Sequence, residues 1–256
     1  MTQLTKQSEL EAMLNSFRLP SFNKNYHQYA RQAEKEKLDH VAYLYQLAMS
    51  ESEDRYNRKT ERLIRQAKSP RGKVLEKFDL SRFSGISASQ ISQLAEGVGL
   101  DVAENLLIFG NPGTGKTHLA AALGREWCLR GRKVFFTSAS ALVQDLLAAK
   151  RDLKLNQLLK RLDRFEVVIV DDISYIPQDK DETDVLFVLL AEIYERRSLV
   201  VTSNLPFSQW DKVFKDTMTT TAAIDRLVHY STVLELNGES YRAETAKRRN
   251  KRAKKE

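Results

Sequence analysis

Apolar residues in the first part of the chain recur at helical intervals. Leu10, Met13, Leu14 and Phe17 stand at i, i+3, i+4 and i+7, and Val41, Leu44, Tyr45 and Ala48 repeat that spacing. Residues 1–69 hold no glycine and one proline, Pro20, so the pattern predicts a small all-helical domain. Ser69-Pro70-Arg71-Gly72 interrupts it, because proline biases its predecessor away from the helix and glycine follows at once. Residues 70–104 read as a linker leading into the next domain, with turns at Gly85, Gly97 and Gly99. Beyond it the period changes. Leu106 to Phe109, Val134 to Thr137, Val167 to Val170, Leu199 to Ser203 and Val233 to Leu236 are short runs rich in β-branched or aromatic residues, and helical stretches separate the first four. This alternation predicts an α/β domain over 105–246, with a five-stranded parallel sheet flanked by helices.

Composition narrows the picture. Glycine and proline total 15 of 256 residues, which favours long helices over a turn-rich all-β chain. The longest apolar run, Val185 to Ala191, is far short of the roughly 20 residues of a membrane span, so no membrane partner is expected. The start of the chain does not read as a signal peptide. A lone Cys128 suits a reducing cytoplasm, and with scattered His27, His40, His118 and His229 it gives no zinc spacing. The net charge of +7 is concentrated at the end, where residues 247–256 (KRRNKRAKKE) carry +6. That segment reads as a disordered basic tail, either a solubilising end or a clamp on nucleic-acid phosphates. Arg55, Arg58, Lys59, Arg62 and Arg65 share one helix face and could track a DNA backbone. Glu51, Glu53, Asp54 and Glu61 on the same stretch leave a solvated face as the alternative.

The chemistry is concentrated in Gly110-Asn111-Pro112-Gly113-Thr114-Gly115-Lys116-Thr117, which fits G-x-x-x-x-G-K-[ST] and follows the first predicted strand directly. Glycines let backbone N–H groups curl round phosphate oxygens, and the helix that follows adds its positive end. Lys116 would reach the β and γ phosphates of a nucleotide, and the Thr117 hydroxyl would bind Mg²⁺. Val167 to Val170 ends in Asp171 and Asp172; the first is suited to the metal, the second to orienting or deprotonating water. Leu199 to Ser203 ends at Asn204, which either reaches the γ-phosphate or forms a turn before Leu205-Pro206. Arg226 and Arg242 offer late cations that could stabilise a transferring phosphoryl group, one of them in trans.

From Asn105 to Arg242 the chain resembles the AAA+ ATPases of the initiator and helicase-loader type, and within them the IstB-like transposition helpers of insertion sequences. The matching stretches are Asn105 to Ala120, Asp171-Asp172, Tyr194 to Ser198 (YERRS), Thr202 to Phe207, Trp210, Asp225-Arg226-Leu227 and Gly238 to Arg242 (GESYR). Leu19-Pro20 and Leu75-Glu76-Lys77-Phe78-Asp79 extend the likeness upstream.

The resemblance implies a P-loop NTPase fold of AAA+ type with a small helical N-terminal domain and a reduced C-terminal lid. It implies a bacterial, cytoplasmic ATPase using ATP and Mg²⁺. Such a protein would oligomerise as a ring or filament on duplex DNA, associate with the nucleoid through it, remodel the target and deliver it to the transposase of the same element. Hydrolysis would drive disassembly. By position, Gly110 to Thr117 with His118 match the nucleotide loop, Asp171 and Asp172 match Walker B, and Asn204 matches sensor 1. Arg226 matches the arginine finger and Arg242 a sensor-2-like arginine. Ser174 departs from the pattern, standing where relatives often have glycine. A loader of a replicative helicase, of DnaC type, is the alternative.

Overall fold

A computed structural model describes residues 3–83, 85–175, 180–212, 217–238, 240–241 and 244. The chain divides into two compact units, Met1–Arg62 and Leu63–Glu256.

The first unit is helical, as the spacing predicts. It contains α1 (Gln3–Ser16), α2 (Pro20–Glu36) and most of α3 (His40–Ala67). Pro20 occupies the first turn of α2, where a missing N–H costs nothing, and Lys37 closes that helix in the left-handed region at φ 53°. Asp39 starts α3 by accepting the Ala42 N–H at 2.7 Å. Leu14, Ala33 and Leu47 are buried, but Leu10, Met13, Phe17, Val41, Leu44 and Tyr45 are exposed. The helical period is therefore right, while most of the apolar residues that announce it lie outside the core.

A buried carboxylate ties α3 to α2. Glu51 accepts the Ser21 N–H at 2.8 Å, Arg55 Nε at 2.7 Å and an Arg58 guanidinium nitrogen at 3.3 Å. Ser21 Oγ adds a bond to Asp54 at 2.7 Å. Burial pushes the Glu51 carboxyl up, but these donors outweigh it and hold it below the usual glutamate range. Its stabilisation is therefore complete above the ordinary glutamate pKa and is lost as pH falls through the lowered folded-state value. Glu51→Ala should destabilise this unit by about 2 kcal/mol. Faster amide exchange along α2 at pH 7, converging with wild type in acid, would be the signature. Unchanged exchange at pH 7 would contradict it.

In the second unit, β1 (Asn105–Gly110), β2 (Val134–Ser138), β3 (Val167–Asp171), β4 (Ser198–Ser203) and β5 (Ser231–Leu236) form one sheet in the order β2-β3-β4-β1-β5. All four pairings are parallel. The five predicted strands are all present, each lengthened by one or two residues. Side chains alternate between two cores: Leu107, Phe109, Val168, Val170, Leu199 and Val201 on one face, Leu106, Ile108, Val167, Ile169 and Val200 on the other. Burial on both faces is why these strands read as unbroken apolar runs. The first face is covered by α6 (Ala139–Arg151), α7 (Leu155–Leu162), α8 (Lys180–Ile193) and α9 (Thr217–Val228), and the second by α4 (Ala88–Glu96) and α5 (Lys116–Leu129). The link from β4 to β5 is thus helical too. Serine caps open two of these helices: Ser87 Oγ accepts Gln90 N–H at 3.0 Å to begin α4, and Ser138 Oγ accepts Ala141 N–H at 3.3 Å to begin α6.

Residues 70–104, expected to act as a linker, are packed rather than extended. Phe83, Ile86, Ile91 and Ala95 are buried in the second core, and the Trp127 indole N–H donates to Leu94 O at 2.8 Å. Cys128 is fully buried on α5, and burial pushes its thiol to about 11, which suits a small core residue and no nucleophile. Among the described residues no helix is long and apolar enough to cross a membrane. Residues 247–256 lie outside the described residues.

Candidate nucleotide-binding site

Sheet order places β3, β4 and β1 side by side, so the segments leaving their carboxyl ends converge. From β1 the chain enters the glycine loop and then α5, whose N-cap is Gly115 at φ 106°. Leu119 N–H closes the first helical bond, to Gly115 O at 2.9 Å, so the amides ahead of it stand at the positive end of α5. Gly113 has φ 84°, and a methyl group there would overlap Ser240 Oγ. Only glycine suits that backbone and that clearance. Within the loop, Thr114 Oγ1 donates to Asn111 O at 2.9 Å. Asn111 and Pro112 are exposed, and Thr114 and Lys116 are buried. Lys116 Nζ folds back on the loop, donating to Gly110 O at 2.7 Å and Asn111 O at 3.0 Å.

Thr117 Oγ1 donates to Asp171 Oδ2 at 3.0 Å, joining the start of α5 to the end of β3. The other carboxylate oxygen of Asp171 accepts the Thr202 hydroxyl at 2.7 Å. Thr202 Oγ1 in turn accepts the Asp172 N–H at 2.8 Å. Asp172 lies in the left-handed region at φ 62°, a conformation costing a non-glycine residue about 1 kcal/mol and recurrent at functional sites. Asn204 follows β4 directly, and its Oδ1 is buried with no hydrogen-bond partner among the described residues. A buried acceptor at the end of the strand next to the one that carries the two acids is suited to a water or a protonated oxygen of a ligand.

The structure therefore links Thr117, Asp171 and Asp172 in one run of hydrogen bonds through Thr202, with Lys116 immediately before Thr117 and Asn204 at the end of the neighbouring strand β4. Two other expected residues are placed differently. The His118 ring donates through Nε2 to Val74 O at 2.9 Å and meets the Phe78 ring edge-on at 5.6 Å, so its imidazole faces the 74–78 segment. Arg226, on α9, lays its guanidinium 4.8 Å from the centre of the Phe187 ring. The end of α9 meets the start of β1, where Asn105 Nδ2 donates to Leu227 O at 3.1 Å. The length of β1, about 17 Å of strand, thus separates that end from the glycine loop. Arg242 lies outside the described residues.

Sequence reasoning gave no site role to Thr202, Phe78 or Tyr241. A methyl group on Gly115 would lie 3.1 Å from the Phe78 ring, and Tyr241 N–H donates to Gly113 O at 3.0 Å. The signal for Thr202 was a hydroxyl ending an apolar strand beside the two acids. That for Phe78 was its place in a stretch with no other evident purpose.

The basic stripe on α3 is partly occupied. Arg55 and Arg58 bond to Glu51, and Arg55 also donates to Arg18 O at 2.7 Å, whereas Lys59, Arg62 and Arg65 are exposed. A groove of about 480 Å³ along α6 and α7 is lined by Lys154, Lys160, Arg161 and Arg164, with Asp145 and Asp152 among them.

The sequence profile of the IstB-like ATP binding protein family matches residues 12–250. An insertion-sequence ATP-binding protein of Sinorhizobium fredii is 42% identical over 241 residues, covering 94% of this chain and 81% of that protein. The ATP-binding protein of insertion sequence IS21 from Pseudomonas aeruginosa is 36% identical, covering 91% and 88%. Among solved structures, AMPPCP-bound DnaA from Aquifex aeolicus aligns with a TM-score of 0.54 at 20% identity, over 65% of this chain and 50% of that one. DnaI aligns with a TM-score of 0.50 at 21% identity, over 66% and 94%. These two likenesses show that the fold is shared with DnaA and DnaI. With a profile running through nearly the whole sequence and relatives from insertion sequences on two sides, the chain belongs to the IstB-like ATP-binding protein family.

Proposed function

We infer that this protein is an ATP-dependent transposition helper. It assembles on duplex DNA with ATP, selects and deforms the target, and delivers it to the transposase of its own insertion element; ATP hydrolysis then takes the assembly apart. The observation that carries the reading is the continuous chain of contacts from Thr117 through Asp171 and Thr202 to Asp172, beside Lys116 and the buried Asn204. A protein that only bound nucleotide would not need the second acid.

Thr117 Oγ1 and Asp171 Oδ2, hard oxygen donors already adjacent, would hold Mg²⁺. The ion would neutralise charge on the β and γ phosphates. Lys116 leaves its loop carbonyls for those phosphates. Asp172 orients the attacking water and accepts its proton, and the Asn204 side chain holds that water or the γ-phosphate. Arg226, a strand's length from its own glycine loop, serves the site of a neighbouring subunit. Arg242 is assigned a sensor-2-like contact with nucleotide. ATP can drive assembly only as far as it binds the assembled state more tightly than the monomer, and a cation supplied in trans provides that difference.

For DNA, Lys59, Arg62 and Arg65, the groove along α6 and α7 and the basic end of the chain are the phosphate contacts. Each lost contact should flatten the dependence of log affinity on log salt by about one. Arg161→Ala with Arg164→Ala should thus flatten it by about two, and an unchanged slope would remove the groove from the DNA path.

Sedimentation with labelled duplex or single-stranded DNA, each with ATP, ADP or no nucleotide, tests the whole reading. Large complexes on duplex with ATP that collapse with ADP support it. Small assemblies preferring single strands would overturn it in favour of helicase loading.

A further inference from the structure

The ends of β3 and β4 are tied together twice, in opposite directions. Thr202, from β4, holds Asp171 and the Asp172 N–H. Ser174, just beyond β3, reaches back: its Oγ accepts the Asn204 N–H at 3.0 Å and lies 3.1 Å from Ser203 Oγ. The protons can be assigned. Ser203 donates its hydroxyl proton to Leu205 O at 2.7 Å and accepts the Leu205 N–H at 3.0 Å. The Ser174 hydroxyl must therefore donate to Ser203 Oγ while accepting from Asn204, which commits its one proton and one of its lone pairs. The turn that carries Asn204 is thus held from the strand that carries the two acids.

We propose that Ser174 is a positioning residue for Asn204, fixing where the Asn204 side chain stands relative to Asp172. This rests on the reading above, in which Asn204 meets the γ-phosphate or the attacking water. The buried Oδ1 of Asn204 finds no partner among the described residues, so the side chain is not anchored there by a neighbour and its aim depends on the backbone. Removing the Ser174 hydroxyl releases that backbone at Asn204 and leaves Thr202, Asp171 and Asp172 as they are. The effect belongs to the chemical step and not to nucleotide capture.

The test is a double-mutant cycle in the full-length protein, reading ATP affinity and phosphate release separately. Ser174→Ala should lower kcat by about tenfold and leave the ATP dissociation constant within about twofold. Ser174→Thr, which keeps the hydroxyl, should restore kcat. In an Asn204→Ala background, Ser174→Ala should cost less than about twofold more, because the residue it positions is gone. Ser174→Gly carried through the same cycle should give the same result, so the test does not hang on the folding of one variant. An unchanged kcat, an equal tenfold loss in the Asn204→Ala background, or a loss confined to ATP affinity would overturn the proposal. Wild type without turnover, even with duplex DNA, would overturn the ATPase reading and this one together; wild-type turnover with additive losses would overturn only this one.

Discussion

Lys116→Ala is expected to abolish ATP turnover, lowering kcat/KM by about 10³-fold, or about 4 kcal/mol of transition-state stabilisation. The size follows from where the ammonium lies. It is a buried cation at the root of α5 that donates to two carbonyls of its own loop, Gly110 and Asn111. Phosphate oxygens bearing full charge are a stronger match for an ammonium than neutral carbonyls of this kind. Asn111 is exposed, so water can replace the lysine and the variant should fold. Phosphate release with and without duplex DNA measures the loss, and sedimentation asks whether assembly follows. Turnover within tenfold of wild type, or duplex complexes that form equally with ATP, ADP and neither, would refute the proposed ATP-dependent assembly.

Asp172→Asn should separate the two halves of the cycle. Asparagine tolerates the left-handed region better than most residues, so the backbone at φ 62° and the N–H bond to Thr202 should survive. Lost is the carboxylate proposed to accept a proton from water. A kcat lower by about 10³-fold with ATP affinity little changed is the expected result. Complexes on duplex with ATP should then form normally and persist where wild-type complexes decay. A variant that neither binds ATP nor assembles would mean that Asp172 supports nucleotide capture instead. Full turnover would remove it from the chemistry.

How much of this was legible in advance differs from element to element. The five strands were, to within one or two residues at their ends, and β1, β3 and β4 most directly, because strands buried on both faces read as unbroken apolar runs. The glycine loop was, because its residues are dictated by backbone angles and clearances that few alternatives satisfy. Residues 70–104 were not: their apolar residues Phe83, Ile86, Ile91 and Ala95 are spread among turns and a short helix, so no period announces that they are core. The first unit misled in another way. A three-helix unit this small cannot cover all its apolar side chains, so Phe17 and Val41 keep the helical period without the burial it usually signals. The bonds of Glu51 to Arg55 and Ser21 illustrate a third limit. The i,i+4 pair could be read locally, but Ser21 lies thirty residues away and only the folded chain reveals it. Thr202 and Ser174 belong with that case, since each hydroxyl finds its partners on the other strand.

If Arg226, a strand's length from its own glycine loop, completes the site of a neighbouring subunit as proposed, the protein would keep count of its own assembly. A site completed by a neighbour exists only at a junction, so the hydrolysing unit is a pair of subunits rather than one. An open filament has one junction fewer than it has subunits, and its terminal member holds nucleotide without the means to spend it. Growth at that end supplies the missing cation and starts the clock on the subunit it joins, so the age of each junction is recorded in its nucleotide. Closure into a ring would remove the exempt member, and every site would then expire. Length and lifetime would then be one variable, set by which subunit's guanidinium completes each site.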